Sequence, residues 1–165
     1  MPQKSLLIVW HSRTGGAEQM ARAAAEAARA GGEARVTMLR AEEAGVADLL
    51  EADGYIFAAP ENLAALSGAM KEFFDRTYYG ALGRIEGRAF AAMVCGGSDG
   101  EGALRQIGRI TTGWRLRQAA EPVLVITHAQ TPEAIAALKE IGAEDLARCA
   151  ELGAAMAAGL ALGVF

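Results

Sequence analysis

Cysteine is scarce, with only Cys95 and Cys149 in 165 residues and no C-x-x-C pair. That spacing excludes a disulfide framework and a four-cysteine zinc site, and a reducing, cytoplasmic compartment is the expectation. Blocks of like charge are missing too. Sixteen Lys and Arg face 20 Asp and Glu for a net charge of −4, which excludes a strongly basic nucleic-acid surface. With 52% apolar and 22% charged residues the chain is not a disordered one. Long apolar runs are absent as well. The run ending at Trp10 is shorter than a signal h-region of roughly 7–15 residues. The uncharged stretch from Leu152 to Phe165 falls short of the roughly 20 residues of a membrane span. It reads as a buried helix or an oligomer contact, which leaves a homo-oligomer open. At this length one domain, residues 1–165, is expected.

What is abundant is small: 20 glycines, and alanine at roughly a fifth of the chain. Continuous apolar runs lie at Leu6–Trp10, Tyr55–Ala59, Ala89–Cys95 and Val123–Thr127. Such runs mark strands covered on both faces of a parallel sheet, while the more alternating Ala34–Leu39 suits an edge strand. Between them, helical period runs over Ala17–Ala30, over Ser67–Tyr78 with Ser67 as N-cap, and through Leu104, Ile107, Ile110 and Trp114. A short turn of helix is expected near Val46–Ala52. A last helical region opens at Thr131-Pro132 and runs to about Gly163, broken at Gly142. Alternation of this kind predicts an α/β fold, a doubly wound five-stranded parallel sheet with helices on both faces. Ligands of such sheets bind beyond the carboxyl ends of the strands.

Three loops at those ends carry unusual composition. His11-Ser12-Arg13-Thr14-Gly15-Gly16 joins the first strand to a helix, and its hydroxyls, glycines and helix N-terminus suit a phosphate. Neither Gly-x-Gly-x-x-Gly nor a Walker A lysine is present, so a dinucleotide held in the Rossmann manner and an NTP are both unsupported. Pro60-Glu61-Asn62-Leu63 follows the third strand. Gly96-Gly97-Ser98-Asp99-Gly100-Glu101-Gly102 follows the fourth, with four glycines that let a ligand approach the backbone. No phosphoacceptor Asp ends the third strand and no C-x-x-x-x-x-R follows the first, which excludes a receiver domain and a low-molecular-weight phosphatase.

The order and content of these loops resemble the flavodoxin-like FMN and quinone reductases. Ser12-x-Thr14-Gly15 is similar to the flavodoxin phosphate loop. Pro60 through Ser67-Gly68-x-x-Lys71-x-Phe73-Phe74-Asp75-Arg76 is similar to the reductases' P…SG..K.F.DR segment, and the Gly96–Gly102 loop to their third flavin-contacting loop. The resemblance implies a flavodoxin-like three-layer sandwich with strand order 2-1-3-4-5. It also implies an FMN whose phosphate meets His11, Ser12, Arg13, Thr14, Gly15, Gly16 and Ala17. Its ring would lie against Pro60, Glu61, Asn62 and Leu63, and its pyrimidine edge would meet main-chain groups of Cys95, Gly96, Gly97, Ser98, Asp99 and Gly100. No side chain is required as a nucleophile, since the redox chemistry belongs to the flavin.

Two departures from the family pattern stand out. Ala17 occupies a place where flavodoxins usually offer a Thr hydroxyl, and neither ring-side loop has the Trp or Tyr that stacks on the flavin of electron carriers. An open flavin face, together with the modest net charge, favours an oxidoreductase passing electrons from NAD(P)H, a small-molecule donor, to a quinone or other small acceptor. The alternative is a non-catalytic electron-transfer or binding module of the same fold. Among the remaining residues, His128 reads as surface loop, Cys95 as packing, Asp99 and Glu61 as loop-solvating charges, and Trp114 as core, while His11 reads as orienting the loop. Tyr78 and Tyr79 are left open as a subunit contact.

Overall fold

The uninterrupted apolar runs become the central strands because each must face two layers at once. The computed structural model describes residues 2–165. Strands β1 (Ser5–Trp10), β2 (Arg35–Arg40), β3 (Gly54–Asn62) and β5 (Ala89–Gly96) lie parallel in the order β2-β1-β3-β5. A two-residue β4 (Ala65–Leu66) folds back antiparallel on the end of β3. The expected fifth strand forms as β7 (Val123–Ile126), and a two-residue β6 (Arg117–Gln118) that was not expected precedes it, both pairing with the outer edge of β5. Gln118 pairs with Phe90 and Val123 with Met93, so four residues, 119–122, stand opposite two, 91–92. Pro122 within that excursion has no N–H to give the ladder. This is the flavodoxin-like α/β fold with helices on both sides, its strands in the expected order.

Side-chain alternation divides the core. Leu6, Ile8 and Trp10, with Ile56, Ala58, Met93 and Cys95, face α1 (Gly16–Gly31) and α6 (Ala143–Leu162). Leu7 and Val9, with Tyr55, Phe57, Phe90 and Val94, face α2 (Val46–Glu51), α3 (Gly68–Ala81) and α4 (Glu101–Gly113). The stretch from Leu152 to Leu160 resolves as a buried helix face, leaving Leu162 and Val164 exposed. No helix among the described residues is long and apolar enough to cross a membrane.

The region expected to be one helix broken at Gly142 is interrupted over a longer span. Only α5 (Pro132–Ala136) forms before residues 137–142, and Gly142 is the N-cap of α6. None of the α5 residues is buried, so no apolar face holds a longer helix to the sheet.

Candidate functional site

Parallel strands put the loops after β1, β3, β5 and β7 at one end of the sheet, and all four line one site. A recess of about 100 Å³ lies between Ser12, Arg13, Thr14, Gly16 and Ala17 on one side and Pro60, Asn62, Cys95 and Gly97 on the other. It adjoins an open cleft of about 550 Å³ bounded by Arg13, Glu61, Asn62, Leu63, Gly97, Ser98 and Asp99. That volume falls in the range of roughly 300–1,000 Å³ typical of small-molecule sites.

The first loop is shaped by Gly15, whose φ of +90° at the N-cap of α1 is open to glycine at little cost. Its N–H donates to Ser12 Oγ at 3.0 Å, which turns the loop sharply into the helix. Gly16 follows because space runs out: a Cβ there would lie 2.7 Å from Cys95 Sγ. Among the described residues, no protein acceptor meets the backbone N–H groups of Arg13, Thr14, Gly16 and Ala17. Four unmet donors around a recess at the positive end of a helix form an anion cradle, and they fit the phosphate of FMN. Ala17 adds no hydrogen-bonding side chain to it. Burial pushes the Cys95 thiol above its ordinary pKa, with the Lys139 charge pulling the other way. Cys95 is thus a neutral, packed side chain.

The second loop is a hairpin. Glu61 pairs with Leu66 and Asn62 with Ala65, which leaves Leu63 and Ala64 as the two turn residues, at φ of 52° and 65°. Positive φ at both central positions is the requirement of a type I′ turn, met here without glycine or asparagine. Leu63 projects fully exposed beside the cleft. The hairpin is propped from α4, where the Gln106 side chain accepts the Leu66 N–H at 2.6 Å.

In the third loop, close backbone contact explains Gly96, where a Cβ would overlap the Asp99 carbonyl. The carbonyls of Gly96 and Gly97 accept N–H groups of Thr127 and His128 at 2.9 and 2.8 Å. The N–H groups of Gly97, Ser98 and Asp99 have no protein acceptor among the described residues and border the cleft. The two acids here are already engaged. Asp99 Oδ1 accepts the N–H groups of Gly100 and Glu101, and Glu61 Oε2 accepts that of Ala103, so both carboxylates cap α4. Those bonds hold the Asp99 carboxyl below its ordinary pKa.

Several expected contacts lie elsewhere. His11 turns from the cleft: its Nδ1 is 2.8 Å from Ser67 Oγ and its Nε2 4.0 Å from Glu42. Burial holds this imidazole below its ordinary pKa, opposed by Glu42 and reinforced by Arg13. Ser67 stands at the N-cap of α3, but its hydroxyl serves His11 rather than the helix. Gly15 shapes the recess without lining it, and Gly100 is buried against Leu124. The charged part of the P…SG..K.F.DR segment is structural. Lys71 pairs with Asp75, and Arg76 clamps the carbonyls of Ala41 and Ala44 at 2.9 and 2.7 Å. Tyr78 stacks on Trp114, and Tyr79 is exposed.

The loop after the last strand, at the same end of the sheet, adds a fourth element. The segment between β7 and α6 crosses above the recess, bringing Thr127, Ala129, Ile135 and Lys139 to its wall. Gln19 of α1 ties it down, donating from Nε2 to the carbonyls of Gly15 and Lys139 at 2.9 and 2.7 Å and accepting the Ile141 N–H at 3.1 Å.

The family model for NADPH-dependent FMN reductases matches residues 6–131. A flavodoxin of Aquifex aeolicus is 34% identical over 97 residues, 59% of this chain and 52% of that protein. An NAD(P)H dehydrogenase (quinone) of Acidithiobacillus ferrooxidans is 33% identical over a match covering 54% of this chain and 55% of that protein. The chain therefore spans about half the length of the curated relatives it matches. Among solved structures, a flavodoxin, WrbA-like protein from Agrobacterium tumefaciens superposes with a TM-score of 0.73 at 21% identity, covering 97% of this chain and 98% of that one. A flavodiiron core from Synechocystis reaches 0.77 at 16% identity, covering 98% and 37%. These structural likenesses carry the fold alone. With its loops, recess and match over residues 6–131 considered together, the chain belongs to the NADPH-dependent FMN reductase family.

Proposed function

We propose that FMN lies across this cleft and that the chain is an oxidoreductase passing electrons from NAD(P)H to a quinone or another small acceptor. The observation that carries the reading is the placement of two sets of unmet backbone donors on the recess and the cleft that adjoins it. Arg13, Thr14, Gly16 and Ala17 supply the first, and Gly97, Ser98 and Asp99 the second. The first set would hold the phosphate and the second the polar edge of the ring, while Pro60 to Leu63 flank its face. When bound, FMN supplies the redox chemistry; the protein supplies binding, orientation and electrostatics. N–H groups aimed at the ring edge favour negative charge there. Asp99 is engaged with two N–H groups at the start of α4, which hold its carboxyl below its ordinary pKa and give it a capping role. The cleft beside Leu63 is open, with room for a donor and an acceptor to take turns.

The test is a titration. FMN added to the purified protein should lose its fluorescence on binding, and NADH or NADPH should then be consumed when a soluble quinone is present. An unquenched titration at micromolar FMN would overturn the cofactor assignment. The flavodoxin relative supports a second reading, an electron-transfer module. Bound flavin reduced only by a protein reductase, and not by either nicotinamide, would favour it.

A further inference from the structure

Resting on the FMN reading above, we infer that Lys139 is the cation that meets the flavin's terminal phosphate, and that Gln19 is the positioning residue that holds it there. Among the described residues two with cationic side chains border the recess, Arg13 and Lys139. Arg13 is exposed, and among the described residues it makes no ion pair or side-chain hydrogen bond. Lys139 is half-buried and fixed at three levels. Its backbone N–H donates to the Thr14 carbonyl at 2.8 Å, which joins it to the phosphate loop itself. Its carbonyl is held by Gln19, which also grips Gly15 on the same loop. Its Nζ donates to the carbonyls of Ile135 and Ala137 at 2.9 and 2.6 Å.

An ammonium has three donors, and these two carbonyls leave one. The charge lies close enough to Cys95 to oppose the effect of burial on that thiol, and Cys95 Sγ abuts Gly16 at the start of α1. Lys139 and Cys95 share the wall of the recess with Gly16 and Ala17. A charge already fixed in place loses less side-chain entropy on binding than a free one. It also stands by a cradle to which position 17 contributes no hydroxyl. Capping the end of α5 is the structural alternative for the same carbonyl contacts. The two roles differ in one respect, since only the first distinguishes a flavin with a phosphate from one without.

Lys139→Met keeps the stem and removes the charge. FMN and riboflavin are titrated by fluorescence quenching into the wild type and into Lys139→Met, Lys139→Arg, Arg13→Met and Gln19→Leu, at low and high salt. Loss of one charge-assisted contact predicts an FMN Kd raised roughly 10- to 100-fold in Lys139→Met, with riboflavin unchanged. Lys139→Arg should recover most of the FMN affinity, and the salt dependence of FMN binding should flatten in Lys139→Met. Gln19→Leu should narrow the FMN-to-riboflavin preference in the same direction, and Arg13→Met should narrow it less. Equal losses for the two flavins in Lys139→Met, or an unchanged FMN Kd, overturn the inference while the cofactor reading stands. A wild type that quenches neither flavin overturns both.

Discussion

Against one face of the sheet, α1 and α6 lay small residues. Ala17, Ala21, Ala24, Ala25 and Ala28 of α1 are buried with Gly153 and Ala157 of α6, and a Cβ on Gly153 would stand 2.6 Å from the carbonyl carbon and Cα of Ala24. Against the other face, α3 and α4 bring rings. Phe57 sits 5.1 Å from Phe74, 5.8 Å from Tyr55 and 6.4 Å from Phe73, Phe90 and Trp114, centroid to centroid. The small-residue face allows α1 and α6 to approach one another backbone to backbone, and α1 is the helix whose first turn carries the unmet N–H groups of Gly16 and Ala17. The aromatic face fills its volume with few residues and supports the β3–β4 hairpin through α4. One face should therefore be sensitive to added atoms and the other to removed ones.

The largest expected effect lies on the aromatic side. Phe57→Ala removes the ring common to five aromatic contacts and should cost about 3–5 kcal/mol in chemical denaturation. A loss below about 2 kcal/mol would mean that neighbouring rings collapse into the space, and the contrast would weaken.

On the small-residue side, Cys149 of α6 gives a contrast in pH. Burial raises its thiol from an ordinary value near 9 to about 11. The folded-state value is the higher one, so the stabilisation is complete below pH 9 and is lost as pH climbs from about 9 towards 11. The unfolded thiol ionises through that window and the folded one does not. Two units correspond to at most about 2–3 kcal/mol. Cys149→Ala should remove that part of the alkaline slope in a stability-versus-pH series, and an unchanged slope would assign it to other groups.

Gly153→Ala tests the close approach directly. In an exposed helix this change would stabilise by nearly 1 kcal/mol. Here the new methyl meets main-chain atoms of Ala24, and the expected result is a net loss of about 2 kcal/mol. Ala24→Gly should not rescue it, because the obstructing atoms are backbone.

This division between faces was partly legible in the chain. Leu6 to Trp10 and Ala89 to Cys95 announced doubly covered strands, and Ala17 to Ala30 announced a helix with a small inward face, because periodicity reports burial. The loops were legible in place but not in contact. Ser12 and Gly15 could be put at a helix N-terminus, yet nothing local showed that His11 would turn to Ser67, 56 residues away, or that Asp99 and Glu61 would cap α4. Lys139 and Gln19 were invisible for the same reason, since their bond spans 120 residues and neither belongs to a motif. The extra strand β6 was not legible, since Arg117 and Gln118 carry no apolar run and pair with β5 only ahead of the 119–122 excursion.

The smallest expected effect concerns the hairpin that the aromatic side supports. Leu63 and Ala64 both sit at positive φ, where an L-residue costs roughly 1–2 kcal/mol. Ala64→Gly relieves one of the two strained positions at some cost in unfolded-chain entropy, so a net gain of about 1 kcal/mol is expected. Strain held at a ligand site commonly serves preorganisation. The hairpin borders the cleft, with Leu63 fully exposed at its tip and the Ala64 carbonyl packed against Gly102 of α4. A glycine at position 64 widens the turn's conformational range and should weaken FMN binding a few-fold while thermal stability rises. A gain in stability with unchanged FMN affinity would show that the strain belongs to the turn alone. The sensitivity of the aromatic side would then end at its core and not extend to the cleft.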